Sequence, residues 1–394
     1  MEPINPGKLK LELFCRGIKI DPSCEMDKDG RGIMKVRAGL GSGLEMILPD
    51  DLYANIPVLE PFVQDTPFKL IHRGGKYFVC RGNAELAEAR LAGRPQWYGR
   101  NTSKGRPMTQ VGSMQGTTLG FYPTRVCGFW EMTPRVNCRF CATGINVSND
   151  ALPTVDEIVE VCQAAKAEGT TFCHFNVGYY GGKALEVILP FVEAVKKRTK
   201  LLVGVQAPPQ KDLSKYDSVI NAGADHFSFC YEFHNPKVFA EVCPGKQKHL
   251  TQQAFFDALE YTTQKMGKGR NSGEIIAGIE PIEDTFAGID YITGVGAFPT
   301  ICVFRPVIGT DLEKSPSPDY QDMLKVYRRM YEACRDNSIP TGIAPNIKTS
   351  LVVLPYEGKY FRENTTLADF AYDAKLAVMR SLFLVYFRAK MLFG

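Results

Sequence analysis

The sequence has little net charge, no long apolar run, and only one pair of cysteines with C-x-x-C spacing. Its formal net charge is only +4 over 394 residues, so bulk charge gives no argument for nucleic acid as a partner. The first residues, "MEPINPGKLKLELFCRG", lack the apolar stretch of a secretory signal peptide, and no window is apolar enough to span a membrane. We therefore expect a cytoplasmic protein.

The stretch that comes nearest to a membrane segment is the C-terminal "AVMRSLFLVYFRAKMLFG". It is interrupted by Arg380, Arg388 and Lys390. These charges favour a helix that packs on the protein, and contact between that helix and a membrane surface stays open as the alternative.

The chain contains 12 cysteines, which is many for a protein without a signal peptide. In a reducing compartment such thiols stay free or bind metal. We expect most of them to lie in the core, because a free cysteine behaves as a small buried hydrophobic residue.

From about residue 154 onward, helices and short apolar strands alternate. "TVDEIVEVCQAAKAEG" begins with a capping box formed by Thr154 and Glu157. This alternation predicts an α/β fold, a full or partial parallel (β/α) barrel of the TIM-like kind, with an open doubly wound sheet as the alternative. The expected strands are "TTLGFYPTRV", "TFCHFNV", "LLVGVQAP", "HFSFCYEF", "EIIAGIEPI" and "TICVFRPVIG", with "TGIAPNI" as a candidate seventh.

Residues 1–115 do not show this alternation of helices and strands, and they are rich in glycine and proline. Short β-like runs such as "RGIMKVRAGL" and "GKYFVCR" stand beside one helical signal, "NAELAEARLAG". We expect a mixed, mainly β accessory region there, a barrel core over 116–355 and a C-terminal helical extension over 356–394.

Three cysteines lie in "CGFWEMTPRVNCRFCATG", namely Cys127, Cys138 and Cys141. A structural zinc site usually requires a second C-x-x-C pair, which this sequence lacks. A redox-active dithiol usually belongs to a thioredoxin-like fold, which the longer series of β/α units does not match. An iron–sulfur cluster accepts irregular spacing, and three thiolates on four irons leave one iron open. The gap of ten residues between Cys127 and Cys138 is no obstacle, because the entropy cost of closing a loop grows only with the logarithm of its length.

The segment "NCRFCATG" resembles the cluster loop of radical S-adenosylmethionine enzymes, which usually reads C-x-x-x-C-x-Φ-C with Φ aromatic. Cys138, Phe140 and Cys141 match its second half. Pro134 stands where the first cysteine usually falls, so Cys127 is the nearest candidate and the spacing becomes C-x10-C-x2-C. Over about residues 118–350, "NVGYYGG", "GIEPIED" and "FRPVIGTDLE" also resemble family motifs, and "HFSFCYEFHN" resembles the biotin and lipoyl synthase branch.

The resemblance implies a 4Fe–4S cluster on the three thiolates, with S-adenosylmethionine chelated at the open iron. It implies reductive cleavage to a 5′-deoxyadenosyl radical, oxygen sensitivity, and an electron donor such as flavodoxin or ferredoxin. The substrate would be a small molecule attacked at a C–H bond, in sulfur insertion, methyl transfer or rearrangement, and no catalytic residue is assigned. The resemblance implies contacts with S-adenosylmethionine at Phe140, Gly181, Gly182, Gln206, Glu232 and Ile279.

A second iron–sulfur cluster is a further alternative that the same branch suggests. It would use N-terminal or inner-barrel cysteines, and burial of these thiols in the core is the simpler expectation. The cysteines concerned are Cys15, Cys24, Cys80, Cys173, Cys230 and Cys302.

In "HFSFCYEF", polar and aromatic residues alternate, which places them on opposite faces of a strand. The polar set, from His226 to Glu232, would line the barrel interior and indicates that the interior holds a ligand.

Simpler structural roles are the alternatives for some of these residues. Glu232 could pair with Arg305 or Lys348, and "KQKH" at 246–249 is most simply a solvated turn. The competing function is a metal-binding barrel scaffold or partner-binding protein that does not cleave S-adenosylmethionine.

Overall fold

The computed structural model describes residues 4–24, 26, 43–147 and 152–393. They form two sheets, one of six strands and one of seven. The first sheet belongs to the N-terminal region and the second carries the parallel strands. The α/β class, the partial parallel barrel, the mainly β N-terminal region and the C-terminal helix are confirmed, whereas the boundaries at residues 115 and 355 stay a prediction.

The N-terminal sheet has the order β1-β4-β5-β6-β2-β3 and is antiparallel apart from the β1–β4 pair. A helix precedes it whose N-cap is Asn5, and that helix was not expected from the sequence. The elements are α1 (Pro6–Arg16), β1 (Lys19–Ile20), β2 (Leu44–Leu48), β3 (Leu52–Ile56), β4 (Phe68–Arg73), β5 (Lys76–Arg81) and β6 (Ala84–Leu91).

The prediction of a helix at "NAELAEARLAG" was wrong, because this segment is strand β6. Its residues have high helix propensity, but Ala87, Ala89 and Leu91 are buried while Glu88 and Arg90 are exposed. This period of two fits a sheet with one covered face, and pairing with β5 and β2 overrides the local preference. The β-like run "GKYFVCR" is strand β5 as expected, and "RGIMKVRAGL" lies outside the described residues.

The second sheet has the order β13-β12-β11-β10-β9-β8-β7, with six parallel strands and an antiparallel hairpin at its end. Helices follow the strands, and the capping box of Thr154 and Glu157 opens one of them. The elements are β7 (Gly112–Gln115), β8 (Thr118–Phe121), α2 (Gly128–Glu131), α3 (Thr143–Asn146), α4 (Val155–Ala167), β9 (Phe172–Asn176), α5 (Ala184–Thr199), β10 (Leu202–Gln206), α6 (Lys215–Asn221), β11 (His226–Glu232), α7 (Pro236–Val242), α8 (Pro244–His249), α9 (Gln252–Met266), β12 (Ser272–Ala277), α10 (Ile282–Val295), β13 (Phe298–Val303), α11 (Tyr320–Asp336) and α12 (Leu367–Phe393).

The barrel has an open side, and an irregular segment over 346–353 crosses it. "TGIAPNI" is therefore not a seventh parallel strand. At one end of the segment, the Thr117 N–H in the β7–β8 turn donates to the Lys348 carbonyl at 2.9 Å. At the other end, Val353 forms a bridge with Ile301 of β13. Gly116 has φ +66, and a Cβ there would collide with the Lys348 carbonyl, so this contact requires glycine.

Helix α12 covers the N-terminal ends of the parallel strands. Phe387 and Phe383 pack against Phe172 and Leu202, the first residues of β9 and β10. Within the part of the chain that the structure describes, no helix is both long enough and apolar enough to cross a membrane.

A buried ion pair joins α1 to the 3₁₀-helix Pro355–Phe361. The Lys10 ammonium lies 2.8 Å from the Glu357 carboxylate, and the two side chains are 0% and 3% exposed. Burial lowers the pKa of Lys10 and raises the pKa of Glu357, although each charge partly offsets the cost for the other. The pair therefore depends on both partners.

We predict that Lys10→Ala destabilises the protein by about 3–5 kcal/mol, because it leaves the Glu357 carboxylate buried without its partner. Thermal unfolding would show this as a lower Tm. Lys8→Ala, at an exposed position of the same helix, is the matched control and should stay close to wild type. Equal losses in the two variants would contradict the prediction.

Candidate functional site

Cys127 lies at the C-terminal edge of the parallel sheet, where it contacts the turn after β9. Its sulfur accepts a hydrogen bond from the Tyr179 N–H at 3.2 Å. One residue later, the Gly128 N–H donates to the Tyr179 carbonyl at 2.9 Å. The loop that starts at Cys127 is thus fixed to the backbone that leaves β9.

Gly178 makes this approach sterically feasible. A Cβ on Gly178 would lie 2.4 Å from the Cβ of Cys127, which is far inside van der Waals contact. The rings of Phe129 and Tyr179 stack beside it with centroids 4.4 Å apart. The glycine-rich segment "NVGYYGG" therefore serves the cysteine loop through Gly178.

The second half of the loop presents Cys138 and Cys141. The Thr143 N–H points to the Cys141 sulfur at 3.4 Å, and the Thr143 hydroxyl lies 3.0 Å from it. The loop backbone is tied to α7 by the Arg139 N–H, which donates to the Val242 carbonyl at 2.9 Å. The sulfurs of Cys127 and Cys141 each accept a backbone hydrogen bond, and such bonds favour the thiolate over the thiol.

The three thiols are close enough to influence one another's ionisation. Burial raises the pKa of Cys127 and, together with the charge of Cys138, raises the pKa of Cys141 to about 12. The pKa of Cys138 is lowered by its hydrogen bond with the Cys243 thiol, against the effect of burial, and by the Lys246 charge. Three thiolates at this place would repel one another unless a positive centre were bound between them.

These residues fit an iron–sulfur cluster in donor type, number and surroundings. Thiolates that hold a four-iron cluster bind different irons, so they stand farther apart than the ligands of a single ion. Among the described residues, no three His, Cys, Asp or Glu side chains are close enough together to hold a single metal ion.

The thiols open into a cavity of about 1700 Å³ that runs through the barrel. The alternation predicted for β11 is confirmed, because His226, Ser228, Cys230 and Glu232 line this cavity. The aromatic residues between them are buried on the other side, with exposures of 0–1%. The interior of the barrel is therefore a lined cavity rather than a filled core.

Lys246 is the charged residue that the sequence did not reveal. "KQKH" belongs to helix α8 rather than to a solvated turn, and the Lys246 ammonium enters the cavity, where it donates to the Cys230 carbonyl at 2.6 Å and to Glu232. Burial opposes its charge, but Glu232 and the neighbouring thiols outweigh this and raise the pKa of Lys246.

The suggested partners of Glu232 are engaged elsewhere. Arg305 donates to the Asn55 side chain at 3.0 Å, and Lys348 pairs with Asp51. Glu232 has φ +71, a conformation that is rare for residues other than glycine, and the β11–β12 register shifts beside it. Such backbone strain is typical of functional sites.

The other residues that were predicted to contact the cofactor divide into those that line the cavity and those that do not. Phe140 and Gln206 line the cavity. Gly181 and Gly182, with φ +59 and +77, form a turn beyond Gly178, and neither they nor Ile279 belong to the described lining. The cofactor contacts at all six positions stay a prediction.

The cysteines considered for a second cluster fall into three groups. Cys15, Cys24 and Cys80 are buried in the N-terminal region. Cys173 faces Cys162 of α4, on the helix side of the sheet. Cys230 and Cys302 line the cavity, and the Cys230 thiol donates to Glu274 at 2.6 Å.

At the opposite end of the cavity, His174 and His226 share a hydrogen-bond network. The His226 Nδ1 lies 2.7 Å from the Arg270 carbonyl, which can only accept, so Nδ1 carries the proton. The Ser228 hydroxyl then donates to His226 Nε2 at 2.9 Å. Burial lowers the pKa of His174 to about 3, with a further contribution from the His226 charge, and burial lowers the pKa of His226 to about 4.

Comparison with known proteins gives one curated relative. The chain is similar to the bacteriochlorophyllide c C-7(1)-hydroxylase of Chlorobaculum limnaeum, with 23% identity over 269 residues. The alignment covers 62% of this chain and 66% of the hydroxylase, so the chain spans just under two thirds of the length of that relative. No protein-family model matches.

Among solved structures, the chain is similar to methylornithine synthase, with TM-score 0.45, 17% identity, and 68% of this chain and 85% of that chain covered. It is similar to a radical SAM methyltransferase from Sphaerobacter thermophilus, with TM-score 0.42, 11% identity, and 73% and 81% covered. It is also similar to an FeFe-hydrogenase maturase from Carboxydothermus hydrogenoformans, with TM-score 0.41 and 13% identity. That match covers 68% of this chain and 66% of the maturase chain. Because these TM-scores are below 0.5, the fold assignment rests on the strand order itself.

We predict that the histidine pair makes stability fall as the pH falls. The unfolded chain protonates both rings below about pH 6.5, whereas the folded chain holds them neutral to about pH 4, so the unfolded state binds more protons in this window. Each histidine should remove about 2 kcal/mol between pH 7 and pH 5.

Urea unfolding at pH 7 and pH 5 measures this effect. The His174→Gln/His226→Gln variant should lose about 4 kcal/mol less over the interval than wild type. His72→Gln, in strand β4 of the other sheet, is the control and should keep the wild-type dependence. The same dependence in the double variant would contradict the prediction.

Proposed function

We propose that this protein is a radical S-adenosylmethionine enzyme whose cluster is held by Cys127, Cys138 and Cys141. The observation that supports this most is the convergence of the three thiols on one cavity, at the C-terminal edge of a parallel sheet. That edge is where (β/α) barrels carry their chemistry. The resemblance of "NCRFCATG" to the family's cluster loop points the same way.

A 4Fe–4S cluster bound there would supply the electron that cleaves S-adenosylmethionine to methionine and a 5′-deoxyadenosyl radical. The protein residues have three tasks around it. The thiolates hold the cluster, and the stacked rings of Phe129 and Tyr179 shield the Cys127 side from water. The paired charges of Glu232 and Lys246 complement the ammonium and carboxylate of the methionine group.

We propose a small molecule as the substrate, because the thiols open into an interior cavity rather than onto a flat surface. A cavity of about 1700 Å³ exceeds the roughly 300–1000 Å³ of most ligand pockets and has room for a cofactor and a sizeable substrate together. The name of the curated relative adds hydroxylation to sulfur insertion, methyl transfer and rearrangement as reaction classes.

We predict that Cys127→Ala loses the cluster as completely as Cys138→Ala or Cys141→Ala. Anaerobic iron and sulfide analysis, together with the visible absorbance, measures this loss. Cys243→Ala is the matched control, because the Cys243 thiol neighbours Cys138 but does not line the cavity. If Cys127→Ala keeps its iron while Cys243→Ala loses it, the ligand assignment is wrong.

We also predict that anaerobically reconstituted protein releases 5′-deoxyadenosine when it is given dithionite and S-adenosylmethionine. Chromatography of the quenched reaction measures the product, and Cys138→Ala should release none. A stoichiometric zinc with no cleavage would contradict the proposal and would favour the metal-binding scaffold.

A further inference from the structure

Helix α12 has an apolar outer face that no described residue covers. Val378, Leu382 and Val385 are 60%, 67% and 70% exposed. Their spacing of three and four residues aligns them along one side of the helix. The opposite side, with Phe387 at 5% exposure, packs on the barrel.

The same face is flanked by positive charge. Lys375 lies three residues before Val378, and Arg388 three residues after Val385, so the two cations stand on opposite sides of the apolar stripe. Both are exposed. Residues 374–393 contain no aspartate or glutamate.

The two carboxylates of α12 lie nearer its start and are turned toward the protein. Asp369 pairs with Arg335 at 2.6 Å, and Asp373 pairs with Arg362 at 2.9 Å. They therefore do not neutralise the cations farther along the helix. The outer face of α12 thus combines exposed aliphatic side chains with cations that no carboxylate of the described residues pairs with.

We propose that this face docks on the surface of an anionic lipid bilayer, with the helix lying parallel to the membrane plane. Aliphatic side chains would enter the acyl boundary, while the long stems of Lys375 and Arg388 keep their charges at the lipid headgroups. Each cation adds attraction to anionic lipid. A second copy of the same face is a poorer partner, because it would bring four cations together without a carboxylate.

Docking in this orientation would place the bilayer beside one end of the cavity. The inner side of α12 contributes Met379 and Phe383 to the cavity lining, at the end opposite the thiols. An apolar substrate could then reach the cavity from the lipid phase. This consequence rests on the proposed function, whereas the docking itself does not.

Flotation of the 394-residue chain with lipid vesicles tests the docking. We expect binding to vesicles that contain phosphatidylglycerol, little binding to pure phosphatidylcholine, and weaker binding as salt increases. Leu382→Ser/Val385→Ser and Lys375→Glu/Arg388→Glu should each weaken binding by about tenfold or more. Lys211→Glu/Lys237→Glu, at exposed lysines that follow the C-terminal ends of β10 and β11, opposite the strand ends that α12 covers, is the charge-matched control and should bind as wild type does.

Three results would overturn the proposal. The first is a wild-type chain that does not float with anionic vesicles. The second is flotation that both α12 variants retain while circular dichroism shows them folded. The third is a wild-type dimer in light scattering that Leu382→Ser/Val385→Ser dissociates, since a second copy would then cover the face. Because vesicle binding needs no cofactor, a chain that docks but releases no 5′-deoxyadenosine would refute only the proposed function.

Discussion

The contact between Cys127 and the backbone after β9 is the constraint on which the site depends. The ten residues between Cys127 and Cys138 have a defined structure. They include helix α2, and after it the Val136 N–H donates to the Phe129 carbonyl. Because this loop folds back on itself, Cys138 lies at the same edge of the sheet as Cys127. The unusual spacing is therefore compatible with three converging thiols, provided that position 178 carries no side chain.

A second constraint is electrostatic and joins the cysteine loop to the barrel interior. The Lys246 ammonium pairs with Glu232 on β11, and its charge also favours the thiolate of Cys138 in the loop. The bend at the end of β11 aims Glu232 at this ammonium at the expense of an unfavourable backbone conformation. A loop and a strand that are far apart in sequence thus share one buried cation.

Local pattern was enough to predict the elements whose preferences agree with their surroundings. The capping box at Thr154 and the alternation in β11 are read from neighbouring residues, and both are present. The same alternation applied to "TFCHFNV" would have placed His174 in the cavity, beside His226. Strand β6 was misread because its alanines and glutamates favour a helix, and only its partners in the sheet reveal the period of two.

The residues that sequence reasoning missed are those whose roles arise from tertiary contact. Lys246 is one cation in a basic run, and nothing local distinguishes it from Lys248, which is exposed. Gly178 stands in the glycine-rich segment that was singled out, yet its importance comes from Cys127, fifty-one positions earlier in the chain. Neither role has a local signature, because each depends on where a distant segment returns to the sheet.

The N-terminal region helps to cover the open side of the barrel. Six parallel strands do not close on themselves, so the edge at β13 needs another partner. Asn55 of β3 accepts from Arg305 just beyond β13, and its own N–H donates to the Ser350 carbonyl of the crossing segment at 2.7 Å. The accessory sheet thereby holds the segment that closes the open side. Because that wall is irregular backbone rather than two further strands, the interior keeps the volume that a complete barrel would fill with side chains.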